Sequence, residues 1–241
     1  MHALITGSGA RGGIGFAIAE RFAREGASLI LTGRDANRGA EALRRLGGVA
    51  GGARFVQADL ACEAEVRRLA DAAADVDVLV NNAAALSRSA TGPADPGRFD
   101  AEFAVNVRAP YLLTAALAPR MAARNGGAIV NLSSVAAARS EPDIALYAAS
   151  KAALESLTRS WALEFAAGGV RVNTVTPGLT SSAKIASVLG AAVGQLGQSV
   201  PLGRAARVDE IAEAVLFLAG SRASYITGAN LVVDGGSSAA P

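Results

Sequence analysis

The sequence predicts an α/β fold: one domain built on a doubly wound, seven-stranded parallel sheet with helices on both faces. Short apolar runs alternate with alanine-rich segments of helical spacing along the 241 residues. No proline- or serine-rich linker divides the chain, so we expect residues 1–241 to form a single domain. A glycine-rich turn joins the first apolar run to the first helical segment, an arrangement typical of doubly wound sheets.

Each apolar run is a predicted strand, because a short run without polar alternation fits a strand that is buried on both faces. The predicted strands are residues 2–6, 27–32, 53–57, 76–81, 127–134, 170–177 and 230–235. Helical spacing predicts helices over Phe16–Glu25, Ala36–Leu46, Glu63–Ala74 and Asp209–Ala219. Small and apolar residues at about 179–202 interrupt the alternation before the last helix, where we expect a lid.

Composition excludes several classes of site. The net charge is only +2 and no run of Lys or Arg alternates with aromatic residues, so nucleic acid is not an expected partner. Cys62 is the single cysteine and His2 the single histidine, which argues against disulfides, Cys or His metal sites and Ser-His-Asp hydrolysis. No signal-peptide pattern and no run of membrane-spanning length is present, so we expect a cytoplasmic protein without a membrane partner.

The turn after the first strand carries residues that suit a phosphate. Glycines let the backbone approach a pyrophosphate, and the free N–H groups at the start of the next helix bind its oxygens. The candidate contacts in this turn are Gly7, Gly9, Arg11, Gly13, Ile14 and Gly15. Because the turn follows the first strand of an open α/β sheet, it predicts a dinucleotide site.

The end of the second strand indicates which dinucleotide is bound. NAD-binding units place an acidic residue there to meet the ribose hydroxyl, but this chain has Gly33 followed by Arg34. A guanidinium suits a 2′-phosphate, and Arg11 could clamp the same group. We therefore expect NADP(H) to be favoured over NAD(H). Asp35, the next residue, is the main feature against this expectation.

Polar residues also follow the later strands. Tyr147 and Lys151 are four residues apart in an alanine-rich helix and therefore share a face. Ser134 ends the fifth predicted strand, and Asn106 lies in the helix before that strand. The carboxyl ends of parallel strands meet at one edge of a sheet, where ligands bind, so these side chains are expected to converge.

Taken in order along the whole chain, these motifs resemble the short-chain dehydrogenase/reductase family, in its compact branch that is similar to 3-oxoacyl carrier-protein reductases. The resemblance rests on the turn from Thr6 to Gly15, Asp59-Leu60, the N-N-A motif at 81–83, Asn106, Ser134, Tyr147 with Lys151, Pro177-Gly178 and the closing ITGANLVVDGG. It implies a Rossmann fold and an oxidoreductase that transfers a hydride between a nicotinamide cofactor and a carbonyl or alcohol substrate.

The resemblance also implies a role for each motif. Tyr147 would protonate the carbonyl oxygen, Lys151 would hold the ribose hydroxyls, and Ser134 would bind the substrate carbonyl. Poising a phenol near pH 7 requires about 4 kcal/mol, which an ammonium at ~4 Å supplies, so Lys151 is expected to lower the pKa of Tyr147. The implied cofactor contacts outside the glycine turn are Arg34, Asp59, Leu60, Asn82, Ala83, Lys151, Pro177, Gly178 and Thr180.

Asn106 has a further feature. Pro110 lies four residues later, and proline has no N–H to give to the carbonyl of residue i−4. The carbonyl of Asn106 is then free to hold a water behind Lys151, which in the resembling family is thought to feed protons to the Lys–Tyr pair. Alternatively Pro110 only kinks the helix, and the two readings are compatible.

Three positions depart from the family pattern. Five residues separate Gly7 from Gly13 where the family usually has three; taking Gly9 as the first glycine restores the spacing but moves the strand end. Ala84 stands where the N-N-A-G motif has glycine, which we expect to be tolerated. Thr180 replaces a more usual aliphatic residue after Pro-Gly.

The expected reaction is NADPH-dependent reduction of a ketone, with an NAD-dependent alcohol dehydrogenase as the alternative. An enoyl reductase is less expected, because that subgroup spaces its Tyr and Lys further apart and lacks the Ser. A non-catalytic dinucleotide sensor usually loses the Tyr or the Lys, and here both remain. Lys184, in the expected lid, either meets a substrate carboxylate or is an exposed charge.

The family resemblance also has implications for a carrier-protein substrate and for the oligomeric state. Reductases of carrier-bound 3-oxoacyl groups tend to have basic residues where this chain has glycines at 126–127 and 168–169, although Arg124 is near. Relatives are commonly homotetramers that pair the helices containing Asn106 and Tyr147. Apolar residues in the helix at 145–166 exceed what one sheet face needs, and they include Leu154, Leu157, Trp161 and Phe165.

Overall fold

The computed structural model describes residues 1–47, 51–92, 94–190 and 192–239. The strands in these ranges are β1 His2–Ile5, β2 Ser28–Gly33, β3 Ala53–Gln57, β4 Val78–Asn81, β5 Gly127–Leu132, β6 Val170–Pro177, β7 Thr180–Ser181, β8 Ala206–Arg207 and β9 Asn230–Val233. Seven of them form one parallel sheet in the order β3-β2-β1-β4-β5-β6-β9. The predicted fold class and its seven strands are confirmed.

The helices lie between these strands, as the alternating pattern predicts. They are α1 Ile14–Arg24, α2 Ala36–Leu46, α3 Glu63–Ala72, α4 Pro96–Phe103, α5 Ala109–Ala122, α6 Ala145–Phe165, α7 Ala183–Leu189, α8 Ala192–Gln198 and α9 Val208–Ala219. A π-helical turn, Ala104–Arg108, joins α4 to α5. Short 3₁₀ turns are Val135–Ala137, Ala166–Gly168 and Ser221–Ala223.

The core has two layers, one on each face of the sheet. Successive residues of a strand point to opposite faces, so Leu4 and Ile5 in β1 are both fully buried but belong to different layers. The layer that contains Ile5 packs against α1, α2 and α9, and the layer that contains Leu4 packs against α3, α5 and α6. Burial on both faces explains why the strands read as unbroken apolar runs.

The segment at about 179–202, predicted as a lid, has structure that the sequence did not reveal. It begins with β7, which pairs with β8 outside the main sheet, and it continues through α7 and α8. The N–H of Ala183 donates to the carbonyl of Gly12 at 2.8 Å, so the start of α7 is attached to the glycine turn. Closure over a ligand stays a prediction, and the side chain of Lys184 lies outside the described part of the structure.

The described residues contain neither a membrane-spanning helix nor a cluster of metal ligands. None of their helices is both long and apolar enough to cross a bilayer. No group of three or more His, Cys, Asp or Glu side chains in the same ranges is placed to hold a metal ion.

A carboxylate ties the chain that follows this segment to the last helix. Glu210 accepts two hydrogen bonds from the guanidinium of Arg204, at 2.7 and 2.8 Å, and one from the N–H of Arg207 at 2.8 Å. The bonds from Arg204 are the main reason that the pKa of Glu210 falls from 4.5 to about 2. Since α9 packs on the core, Glu210 anchors to it the chain that follows the 179–202 segment.

We therefore predict that Glu210→Ala lowers the melting temperature at neutral pH by about 2–4 °C, as expected for losing roughly one cap interaction in a chain of this size. A lowered carboxyl pKa stabilises the fold above the ordinary pKa, and this contribution disappears as the pH falls toward the folded pKa. The difference from wild type should therefore shrink between about pH 5 and about pH 3. Calorimetry of Glu210→Ala beside Asp209→Asn, an exposed neighbour, measures it. Equal melting temperatures for all three proteins at pH 7 would contradict the prediction.

Candidate active site

The predicted site residues gather at the carboxyl edge of the sheet. Each follows the end of a different parallel strand or lies in a helix packed beside that edge: Gly7 follows β1, Arg34 follows β2, Asp59 follows β3, Asn82 follows β4, Ser134 follows β5 and Pro177 ends β6. The sheet order places β1 and β4 side by side, so the glycine turn and the N-N-A motif are neighbours.

The glycine turn is packed directly against the start of α1. Gly7 has φ +66°, a left-handed conformation that glycine adopts without strain. A Cβ on Gly15 would lie 2.5 Å from the carbonyl oxygen of Gly7 and closer still to Nδ2 of Asn82. That Nδ2 donates to the carbonyls of Thr6 and Gly7, at 2.8 and 3.3 Å. Asn82, predicted to contact a cofactor, therefore fixes the turn that a cofactor phosphate would approach.

The two extra residues of the turn do not displace the strand, because β1 ends at Ile5. Ser8 is fully buried, and its hydroxyl donates to the Ile5 carbonyl at 2.8 Å and accepts from the Thr32 N–H at 3.2 Å. Gly9 is near Phe55, while Gly13 is the residue before α1 and Ile14 its first residue. The turn is thus longer, as predicted, and its added length runs beside β2 before it reaches the start of the 179–202 segment.

A cavity of about 460 Å³ lies where the glycine turn meets the end of β2. Its lining residues are Gly7, Gly9, Ala10, Gly33, Arg34, Asp35 and Arg38. Arg34 is present as predicted, whereas Arg11 is exposed and is not part of this lining. Arg38 was missed by the sequence analysis; its signal was its place in the first turn of α2, four residues after Arg34, which precedes that helix.

Asp35 has an identified structural role. Its Oδ1 accepts the backbone N–H groups of Asn37 at 2.9 Å and Arg38 at 3.1 Å, so it is the N-cap of α2. Its second oxygen lies 3.5 Å from the Arg38 guanidinium. The carboxylate of Asp35, which counted against NADP in the sequence, is therefore hydrogen-bonded to the first turn of the helix that it caps.

Asp59 and Leu60 form the turn after β3. Oδ1 of Asp59 accepts the Ala61 N–H at 3.0 Å, and the Asp59 N–H donates to Oε2 of Glu65 at 2.8 Å. Leu60 is 7% exposed and belongs to the core. These residues lie at the predicted end of the sheet, and any contact with adenine stays a prediction.

The residues that follow β4 and β6 are held by hydrogen bonds and by close packing of the backbone. Ala83, partly buried, donates its N–H to Thr6 Oγ1 at 3.0 Å. A Cβ on Gly178 would lie 2.6 Å from Cβ of Asp234, so only glycine fits after Pro177. Thr180 is 4% exposed and its hydroxyl donates to the Gly178 carbonyl at 3.0 Å. The hydroxyl that departs from the family pattern thus braces this turn.

The predicted catalytic pair lies on α6, facing the end of β5. Lys151 is 2% exposed, and its Nζ donates to the carbonyl of Leu132 at 2.7 Å. The same nitrogen is 5.7 Å from the centre of the Tyr147 ring. The ammonium is therefore fixed by the strand that leads to Ser134, beneath the phenol.

The pKa of Tyr147 departs from the sequence expectation in direction. Burial of the phenol raises the pKa above its ordinary value, the hydrogen bond with the Ser134 side chain lowers it, and the negative charge of Glu102 raises it. The pKa of Tyr147 therefore lies above its ordinary value and not below it as the sequence suggested, because removal of the phenol from water is the largest effect. A phenol that keeps its proton is suited to act as an acid.

Asn106 lies in a distorted part of its helix, and its side chain makes three hydrogen bonds in the site. Its Oδ1 accepts the Ala85 N–H at 2.8 Å, and its Nδ2 donates to the Ala85 carbonyl at 2.8 Å and to the Ser150 hydroxyl at 2.9 Å. Ser150 donates in turn to the carbonyl of Tyr147 at 2.7 Å. The helix distortion expected from Pro110 is a π-helical turn. Sequence reasoning noticed the Asn106 carbonyl and missed this side-chain clamp and Ser150.

The chain is similar to known proteins over almost its whole length. The family model described as enoyl-(acyl carrier protein) reductase matches residues 7–238. D-threitol dehydrogenase of Mycolicibacterium smegmatis is 38% identical over 97% of this chain and 91% of its own length.

Two solved structures are similar over nearly their full lengths. A short-chain dehydrogenase/reductase family protein is 48% identical, with a TM-score of 0.92, over 100% of this chain and 98% of that one. L-sorbose reductase from Gluconobacter frateurii, crystallised with NADPH and L-sorbose, is 31% identical with a TM-score of 0.90, over 97% of this chain and 95% of that one.

The packing of the glycine turn gives a test. We predict that Gly15→Ala destabilises the protein by about 1–3 kcal/mol, because the added methyl must displace the Gly7 carbonyl and the Asn82 amide. Urea denaturation measures the change. Gly92→Ala is the matched control, since a Cβ at Gly92 meets nothing within 4 Å. Equal stability of the two variants would contradict the tight approach of α1 to the turn.

Proposed function

The chain belongs to the short-chain dehydrogenase/reductase family, and on that premise we propose that it uses NADPH to reduce a ketone to a secondary alcohol. It is an oxidoreductase that acts on carbonyl and alcohol groups. The observation that carries this carbonyl chemistry is the arrangement of Tyr147 and Ser134 above the buried Lys151. The preference for NADPH and the ketone substrate are the parts that we propose.

In the proposed reaction, Ser134 and Tyr147 hold the carbonyl oxygen and Tyr147 donates its proton to that oxygen. The bound nicotinamide supplies the hydride that reaches the carbonyl carbon. Lys151 is held at the Leu132 carbonyl, so its positive charge stays close to the phenol as the proton leaves. The pKa of Tyr147 is raised, so at neutral pH the phenol carries the proton that this step requires.

The cavity between the glycine turn and β2 supports the choice of NADPH. Two guanidinium groups, from Arg34 and Arg38, line it together with the backbone of Gly7 and Gly9. A 2′-phosphate carries negative charge that paired arginines bind well. Asp35 caps α2 and also lines the cavity beside Arg38, so the lining carries two guanidinium groups against one carboxylate and keeps a net positive charge. In L-sorbose reductase, NADPH is bound by a protein of the same fold.

Other reactions of the family have less support. For a carrier-protein substrate, Arg124 would be the available cation, but its guanidinium donates to the carbonyls of Ala74 and Val76 at 3.0 and 2.6 Å. The nearby glycines are required by close backbone packing; a Cβ on Gly168, for example, would lie 2.5 Å from Cβ of Ala122. The matching family model is described as an enoyl reductase, yet the retained Ser134 favours carbonyl chemistry.

We also propose that the protein is a homotetramer, because of an exposed apolar surface that differs from the one suggested by the sequence. Leu154 and Trp161 are 1% and 5% exposed and belong to the core, so they are not the surplus apolar surface that the sequence suggested. Exposed apolar surface lies instead at Phe99 and Tyr111, which are 45% and 51% exposed beside α6. Paired helices of two subunits would cover this face.

Cofactor preference has a direct test. We predict that Arg34→Glu weakens NADPH binding at least about 10-fold and leaves NADH binding equal or tighter, because a carboxylate repels the 2′-phosphate and accepts from a ribose hydroxyl. Fluorescence titration with both dinucleotides measures the two dissociation constants. Arg24→Glu, the same charge change at an exposed site on α1, is the control. Tighter NADH than NADPH binding by the wild type would instead favour the NAD-dependent alcohol dehydrogenase.

The role of Tyr147 has a separate test. We predict that Tyr147→Phe lowers kcat for ketone reduction by about 10²–10⁴-fold, the size expected for losing a general acid, and leaves the NADPH dissociation constant unchanged. NADPH consumption is followed with a panel of ketones. Tyr225→Phe is the matched control, since Tyr225 is fully exposed. Retained activity in Tyr147→Phe would refute the proposed acid.

A further inference from the structure

A buried carboxylate lies beside the active site with no role in the proposed reaction. Glu102, in α4, is 2% exposed. Its Oε1 accepts the Ser87 N–H at 2.8 Å and also the Ser87 hydroxyl. Its Oε2 is buried with no hydrogen-bond partner, and Glu102 takes part in none of the ion pairs found between the described residues. Burying such a group lowers stability, so its presence calls for an explanation.

Glu102 continues the clamp that Asn106 begins. The two residues are four apart and lie on the same side of the α4–π-helix segment. Asn106 binds both backbone groups of Ala85, and Glu102 binds the N–H of Ser87. Alternate residues of the segment at 85–87 are thus held by two side chains one turn apart, Glu102 in α4 and Asn106 in the π-helical turn. This segment lies just after Ala83, one of the expected cofactor contacts.

The charge of Glu102 also reaches the phenol. It is one of the groups that raise the pKa of Tyr147, alongside burial. Lys151 opposes it from within α6. Charged groups on the packed elements also include Arg98 and the exposed Asp100 in α4, and Glu155 in α6, which binds the Ser133 hydroxyl. Asp143 lies before α6, and Arg88 and Glu141 pair with each other at 3.3 Å. Nε of Arg98 is itself buried with no partner, so it does not neutralise Glu102 by an ion pair.

We propose that Glu102 is a positioning residue of this site: its Oε1 fixes the segment at 85–87, and its buried carboxylate acts on the Tyr147 phenol from α4. The relevance of Glu102 to the reaction rests on the proposed function, but both physical effects are properties of the protein alone. A lysine and a carboxylate on two sides of one phenol would then set its acidity between them.

The test titrates Tyr147 directly. Absorbance of tyrosinate is followed against pH for wild type and for Glu102→Gln, and the signal of Tyr111 and Tyr225 is removed by subtracting the matching Tyr147→Phe proteins. Gln keeps an acceptor for Ser87 and removes the charge. We expect the Tyr147 midpoint to fall by about 0.5–1 pH unit in Glu102→Gln. Asp100→Asn, an exposed acid of the same helix, should leave it unchanged.

A second readout separates position from charge. Glu102→Leu removes both, so amide hydrogen exchange in residues 85–87 should accelerate, whereas Glu102→Gln should leave that exchange near the wild-type rate. An unchanged Tyr147 midpoint in Glu102→Gln, or unchanged exchange in Glu102→Leu, overturns the proposal. A wild type that does not turn over ketones with NADPH would refute the proposed function and leave these two results to stand independently.

Discussion

The carboxamide of Asn106 is the contact on which the arrangement of the site depends. Its oxygen and nitrogen bind both backbone groups of Ala85, and its nitrogen also binds Ser150, which holds the Tyr147 carbonyl. One fully buried side chain thus connects three chain segments that are distant in sequence. A buried amide with its groups satisfied is rigid as well as stable. The π-helical turn presents this side chain inward, so the proline that follows it affects the whole site.

Much of the fold and the chemistry could be predicted because those signals are local. Strands buried on both faces must be apolar throughout, and the pair Tyr147 and Lys151 needs a single helical turn to share a face. The features that the sequence did not predict depend on contacts between segments that are distant along the chain. Nothing in the local pattern around Ser8 or Ser150 shows that each binds a neighbouring element. The pKa of Tyr147 was misjudged for the same reason, since burial is set by the assembled fold.

The glycine turn joins two functions that the sequence analysis had treated separately. Its added residues pack Ser8 against β2 and bring the carbonyl of Gly12 to the N–H of Ala183, where α7 starts. The phosphate end of the site and the 179–202 segment are therefore in direct contact through backbone groups. A change in the conformation of this turn has a short physical route to the segment that we expect to form a lid.

The strand order also has a consequence for how the molecule is made. β1 lies between β2 and β4, and its partner in β4 begins at Val78, far along the chain. Until that part has been synthesised, the first three strands have an unpaired apolar edge at β1. Such long-range pairing slows folding, and exposed edges invite association with other chains. A growing polypeptide of this kind is a natural client for chaperones at the ribosome until the centre of its sheet is complete.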